Sequence, residues 1–206
     1  MIGIRHQFIF VHIPKTAGNA MQNILSTYSE DTIVVSGNKD GVHRFGLYSL
    51  YGTTKHSTLT DYFFALGPES FWPKRKFTCV RNPWDRAISF YFSPHNKNYS
   101  WNRNKFIRML DKIYPMTTFL RLPAHVASTK PDQNIDLIIR YEDLHKGFSK
   151  LCDILGISRR SLPVLNKGNR KSYFEYYDSD LIQIVAERFR EDIENFGYEF
   201  DFPKRY

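Results

Sequence analysis

Long hydrophobic runs are missing from this sequence. No window approaches the roughly twenty apolar residues that a membrane-spanning helix needs. The opening stretch MIGIRHQFIFVHIPK has neither the extended apolar segment nor the small-residue cleavage site of a signal peptide. The expectation is a soluble, cytoplasmic protein with no stable membrane insertion. Cysteine is scarce: the two in 206 residues, Cys79 and Cys152, sit in the apolar segments FTCV and LCDIL. That argues against a disulfide framework or a cysteine metal centre and reads as buried free thiols. Basic runs are missing as well. The formal net charge is +8, yet no run of five or more lysines and arginines occurs. A polybasic arm is therefore excluded, and the charge points to a cleft that receives an anion. There are no repeats and no low-complexity segments.

What remains is the make-up of a soluble globular chain, 42% hydrophobic and 24% charged, with a length that suits one domain over 1–206. Aromatics at 16% are enough to line a pocket as well as fill a core. Short β-rich apolar runs predict strands over 8–13, 32–35, 76–80 and 135–140. Between them, three- and four-residue apolar spacing predicts helices over 19–28, from Ser57 or Thr58 to Gly67, from Asn82 onward, over 148–155 and over 179–196. A helix interrupted near Pro115 and Pro123 is expected over 102–125, and a glycine-rich loop over 36–51. Asn82 suits an N-cap, Pro83 the first helical position and Gly197 the C′ position. Strands alternating with helices imply an α/β fold, a central parallel sheet flanked by helices. In such sheets ligands bind beyond the carboxyl ends of the strands.

Two of those ends carry chemistry. After the first strand comes HIPKTAGNA. Backbone N–H groups from Thr16 through Ala17, Gly18, Asn19 and Ala20 open a helix, and Lys15 adds a cation, which together make an anion site. Gly18 lets the backbone approach a ligand closely. The P-loop spelling G-x-x-x-x-G-K-S/T is absent, because the lysine precedes the glycine. A plain strand–helix turn with a surface lysine is the other reading. After the third strand, Arg81 offers a planar fork of donors suited to a phosphate, and Ser89 lies two turns into the next helix. An arginine paired to a carboxylate, with a serine packed on a helix, is the alternative there.

Taken together, the two loops resemble one family. HIPKTAG resembles the 5′-phosphosulfate loop of sulfotransferases, and CVRNPWDRAISFYF resembles their 3′-phosphate segment. KHSTLTDYF, IIRYEDL, LPVLNKG and IENFGYEF are similar to segments of small bacterial relatives of the carbohydrate (heparan/chondroitin-type) sulfotransferases. The resemblance runs from about Phe8 to Phe200. It implies a single α/β domain with a P-loop-like loop, the donor 3′-phosphoadenosine 5′-phosphosulfate (PAPS) and no metal. One departure stands out: Asn19 and Ala20 follow Gly18 where the family usually has a hydroxyl residue.

On this resemblance Lys15 stabilises charge on the bridging oxygen of the leaving group, and His56 is the general base. His56 suits that task with an ordinary pKa of about 6.5. His12, His43 and His95 are its rivals. Arg81 and Ser89 hold the 3′-phosphate, and Asn166 and Lys167 of LNKG reach the donor too. Glu142 caps or braces a loop or else acts, and Trp84 packs. The implied acceptor is a hydroxyl on a carbohydrate or glycoconjugate, not a nucleic acid. Its identity and the oligomeric state are not legible. Two other readings stay open: a P-loop kinase or other NTPase, although no Mg²⁺-binding Asp follows a buried strand, and a basic nucleic-acid binder around NKGNRKSYF.

Overall fold

A strand buried on both faces reads as an unbroken apolar run, and FIFV (8–11) does so. Phe8 and Phe10 pack on one side with Phe77, Cys79, Ile139, Met21 and Phe148. Ile9 and Val11 pack on the other with Val80, Tyr62, Ile88 and Val185. Alternation along the strand therefore creates two hydrophobic layers, and helices cover both. Each fully buried phenylalanine contributes roughly 1.5–3 kcal/mol.

The computed structural model describes residues 1–39, 42–96, 98, 100–126, 130–163 and 170–201. Its strands are β1 (Ile2–Gly3), β2 (Phe8–Val11), β3 (Thr32–Lys39), β4 (Val42–Tyr48), β5 (Arg75–Val80) and β6 (Leu137–Arg140). Its α-helices are α1 (Gly18–Leu25), α2 (Leu59–Leu66), α3 (Pro68–Phe71), α4 (Pro83–Tyr91), α5 (Arg103–Leu110), α6 (Leu144–Leu155), α7 (Ser179–Arg188) and α8 (Arg190–Phe196). The central sheet has the order β1-β2-β5-β6. Strand β1 is antiparallel to β2, while β2, β5 and β6 run parallel. The register sets Val11 beside Thr78 and Val80 beside Arg140, so the loops leaving β2, β5 and β6 emerge at one edge. Helices α1 and α6 cover one face, and α2, α4, α5, α7 and α8 the other. This is the mixed α/β architecture that the strand–helix alternation predicts.

The local signals act as expected at several ends. Thr58 and Asp61 form a reciprocal capping box at α2. The Asn82 side chain accepts from the Trp84 N–H at 3.1 Å, and Pro83 opens α4. Gly156 and Gly197 end α6 and α8 in the left-handed region, at φ 63° and 59°. Cys79 and Cys152 are free and buried. Among the described residues, no helix is long and apolar enough to cross a membrane.

Four expectations are corrected. The segment from Thr32 does not join the parallel sheet: β3 pairs antiparallel with β4, so 36–51 is largely hairpin. Antiparallel backbone bonds need no apolar run, which is why the pattern concealed it. Over 102–125 only α5 is α-helical, ending before Pro115, and residues 117–120 form a single 3₁₀ turn. The helix over 179–196 breaks at Phe189, whose φ of −117° leaves the helical region while its ring stays buried. Helix α6 begins at Leu144, four residues early, with Gly147 inside it; a Cβ there would stand 2.5 Å from the Ile139 side chain. That glycine serves close helix–strand packing.

Candidate active site

The loops leaving β2, β5 and β6 surround a cavity of about 670 Å³. Its lining includes Lys15, Ala17, Gly18, Asn19, Ala20, His56, Arg81 and Ser89. The fold thus brings together most of the residues singled out from the sequence. Thr16 is the exception. It is 1% exposed and turns under the loop, where its Oγ1 donates to the Ile13 carbonyl at 2.9 Å.

The first loop is an unusual piece of backbone. Lys15 and Ala17 both have φ near 70°, a region that side chains with a Cβ rarely occupy. Ala17 is the N-cap of α1 and supplies no side-chain cap. Three successive carbonyls accept from buried side chains. Ile13 O takes Thr16 Oγ1, Pro14 O takes Arg86 Nε at 3.0 Å, and Lys15 O takes Arg81 Nη1 at 3.3 Å. The Ala20 N–H closes back onto Ala17 O at 3.0 Å, so it is already used within the loop. Gly18 has a reason that spacing does not reveal. A Cβ there would fall 2.0 Å from the His12 ring, so the glycine makes room for a histidine as well as opening the helix.

His12 and His56 meet behind this loop with ring centroids 4.7 Å apart. The two rivals for the base are thereby separated by environment. His12 is 3% exposed, and its Nδ1 donates to Gln22 Oε1 at 2.7 Å. Burial, with smaller contributions from His56 and Lys55, holds its pKa well below the ordinary value. Both rings border the cavity, and His56 Nδ1 is 3.0 Å from the His12 carbonyl oxygen. A carbonyl only accepts, so the proton of neutral His56 resides on Nδ1 and the Nε2 lone pair remains available. Burial lowers the His56 pKa, the His12 carbonyl opposes that shift, and Lys55 adds to it. Lys55 itself lines the cavity and is brought down to about 8 by burial. The side chains of His43 and His95 lie outside the described set.

The second loop is built from charged side chains. Arg81 reaches Asp85 through Nε at 2.8 Å and Nη2 at 2.7 Å, and stacks 3.8 Å above the Tyr141 ring. Asp85 is shared with Arg170. One carboxylate thus lies between two guanidinium groups, and Glu142 adds a second carboxylate to the cavity lining. The Arg81 fork thus has a carboxylate partner, as one of the two sequence readings held, and it also borders the cavity beside Ser89. Glu142 braces: it accepts from the Asn82 N–H at 2.7 Å and from the Tyr198 hydroxyl at 3.1 Å. Trp84 packs in the core, its Nε1 donating to Ile182 O. Asn166 and Lys167 lie outside the described residues. Among the described residues, no three His, Cys, Asp or Glu side chains are placed to hold a metal ion.

Sequence reasoning passed over Lys55, Tyr141 and Arg86. Lys55 was legible as the neighbour of a candidate base. Arg86 had no local signal, because its partners are carbonyls 72 and 28 residues away.

Comparison with known proteins adds the following. A sequence model described as the sulfotransferase family matches residues 1–199. A solved structure, the crystal structure of a sulfotransferase from Alicyclobacillus acidocaldarius, superposes with a TM-score of 0.49 at 12% identity, over 94% of this chain and 96% of that one. A search of curated proteins returned no match.

Proposed function

From the premise that the chain belongs to the sulfotransferase family, we propose that it moves a sulfuryl group from PAPS to an acceptor hydroxyl on a carbohydrate or glycoconjugate, with His56 as the base. The observation that carries this reading is the meeting in one cavity of a helix-start loop, Lys15, His56, Arg81 and Ser89. The volume suits a nucleotide-sized ligand. The donor set suits an anion at both ends: backbone N–H groups and Lys15 at one, Arg81 and Ser89 at the other.

The donor supplies the sulfuryl group and a phosphate that gains charge as the bond to sulfur breaks. The chain's residues supply the rest. Lys15, on the loop before α1, sets a positive charge beside that phosphate, where preorganised charge is most effective. His56 accepts the acceptor's proton on Nε2, while its Nδ1–H stays on the His12 carbonyl and fixes the ring. Lowered below 6.5 by burial, His56 is neutral and ready at pH 7. Thr16 contributes through its backbone, its hydroxyl being committed to Ile13. In place of the hydroxyl residue usual after Gly18, Asn19 borders the cavity and offers an amide donor.

The test is binding without metal. Adenosine 3′,5′-bisphosphate (PAP) at about 100 times its dissociation constant should add roughly 2.7 kcal/mol to stability. No calorimetric heat and an unmoved melting curve would remove the reading. An equal shift produced by ATP only with Mg²⁺ would favour a nucleotide kinase. Turnover of labelled PAPS across a panel of sugars then names the acceptor.

A further inference from the structure

Arg86 is a buried cation with no place in the mechanism above. It is 2% exposed and does not line the cavity. Burial lowers its pKa to about 10, with Asp192 opposing the shift, so it remains charged at neutral pH. Such a group is costly to bury unless its donors are used. They are used on backbone oxygens: Nε donates to Pro14 O at 3.0 Å and Nη1 to Tyr114 O at 3.0 Å. Asp192 anchors the adjoining segment, accepting from the Met116 N–H at 2.8 Å and the Thr117 N–H at 2.9 Å.

The Pro14 contact has a directional consequence. The C=O and N–H of a trans peptide point in opposite directions, and no cis peptide occurs among the described residues. Pulling Pro14 O onto Arg86 therefore turns the Lys15 N–H the other way. In the same manner Arg81 on Lys15 O turns the Thr16 N–H. Lys15 also sits at φ 70°, a conformation that persists only when its surroundings impose it. Arg86 supplies part of that imposition from beneath the loop.

We propose that Arg86 is a positioning residue for the anion loop: through Pro14 O it holds the Pro14–Lys15 peptide in the orientation that makes the loop a receptor for the donor's 5′ end. This rests on the reading of that loop as the 5′ site.

The experiment compares Arg86→Met and Arg86→Lys with the unaltered protein. Each is titrated with PAP, adenosine 5′-phosphate and adenosine 3′-phosphate, and a melting curve is recorded. Arg86→Met should weaken PAP and adenosine 5′-phosphate by one common factor, roughly ten- to hundredfold, as for a lost hydrogen bond to a charged group. Adenosine 3′-phosphate should stay within about twofold, because it never uses the loop. Arg86→Lys, able to reach one carbonyl but not both, should lose less. Equal losses for all three ligands, or no loss for any, would overturn the inference. Should Arg86→Met fail to fold, the same contrast between the two monophosphates in Arg86→Lys decides it. An unaltered protein that binds neither PAP nor adenosine 5′-phosphate would overturn the proposed function itself, an outcome distinct from a variant that loses every ligand alike.

Discussion

On the proposed function, the loop after β2 meets the donor mostly with backbone, whereas the loop after β5 meets it with side chains. In the first, two non-glycine residues stand at φ 70° and three carbonyls are held away by Thr16, Arg86 and Arg81. In the second, an N-capped helix start carries Arg81, Asp85 and Ser89 along one cavity wall. A backbone site depends on whatever holds the backbone, so its weak points lie outside it. A side-chain site is weak at its own residues. Arg81 belongs to both: its Nε and Nη2 hold Asp85 in the second loop while its Nη1 holds the first.

The largest effect should come from a residue in neither loop. His56→Ala should lower turnover by about 10²–10⁴-fold while leaving PAP affinity nearly intact. Near-normal turnover would remove His56 as the base. Next comes the shared arginine. Arg81→Ala should weaken PAP by roughly 2–5 kcal/mol, the scale for removing one partner of a buried charged pair. Because it also frees Lys15 O, it should weaken adenosine 5′-phosphate by about 1 kcal/mol. Ser89→Ala tests the second site alone and should cost PAP about 1.5–3 kcal/mol and adenosine 5′-phosphate nothing. Titrations with both nucleotides decide the matter; equal losses in Ser89→Ala would reassign that residue to the 5′ side or to the fold.

The smallest effect is electrostatic. Burial holds the His56 pKa below 6.5, so the pH–rate profile should fall only as pH drops through that lowered value. Lys55 disfavours the imidazolium, so Lys55→Met should move this acid limb to higher pH. A limb that stays in place would show that burial alone sets the pKa. Stability follows the same sign. His12 and His56 bind a proton more readily in the unfolded chain, so their contribution is complete above about 6.5 and declines as pH falls below it. A melting series across that range measures the decline.

Much of the scaffold was legible because it is written in local chemistry. The β2 run, the Asn82-Pro83 opening of α4, the Thr58 cap and the closing glycines are each settled within a few residues. So was the position of the two loops, which leave β2 and β5 and line one cavity. The hairpin β3–β4 was hidden because its ladder is made of peptide groups. The break at Phe189 was hidden because the apolar spacing continues through it. Within the site, the placement of His12 against His56 and the Arg86–Pro14 bond are contacts across the fold that no short window of sequence contains, while His12 and Gly18 share the window HIPKTAG but nothing in its spacing shows that they touch.

That last contact reaches beyond a single molecule. With a Cβ at 18 standing 2.0 Å from the His12 ring, the two positions share one volume. Among related sequences they should change as a pair: where the residue at 12 shrinks, serine or alanine becomes admissible at 18, and where the imidazole is kept, glycine is kept with it. A library randomised at position 18 alone should return glycine almost exclusively, while one randomised at both positions should recover a second, linked solution. The six-residue gap between them is thus a unit of inheritance, transmitted or lost together.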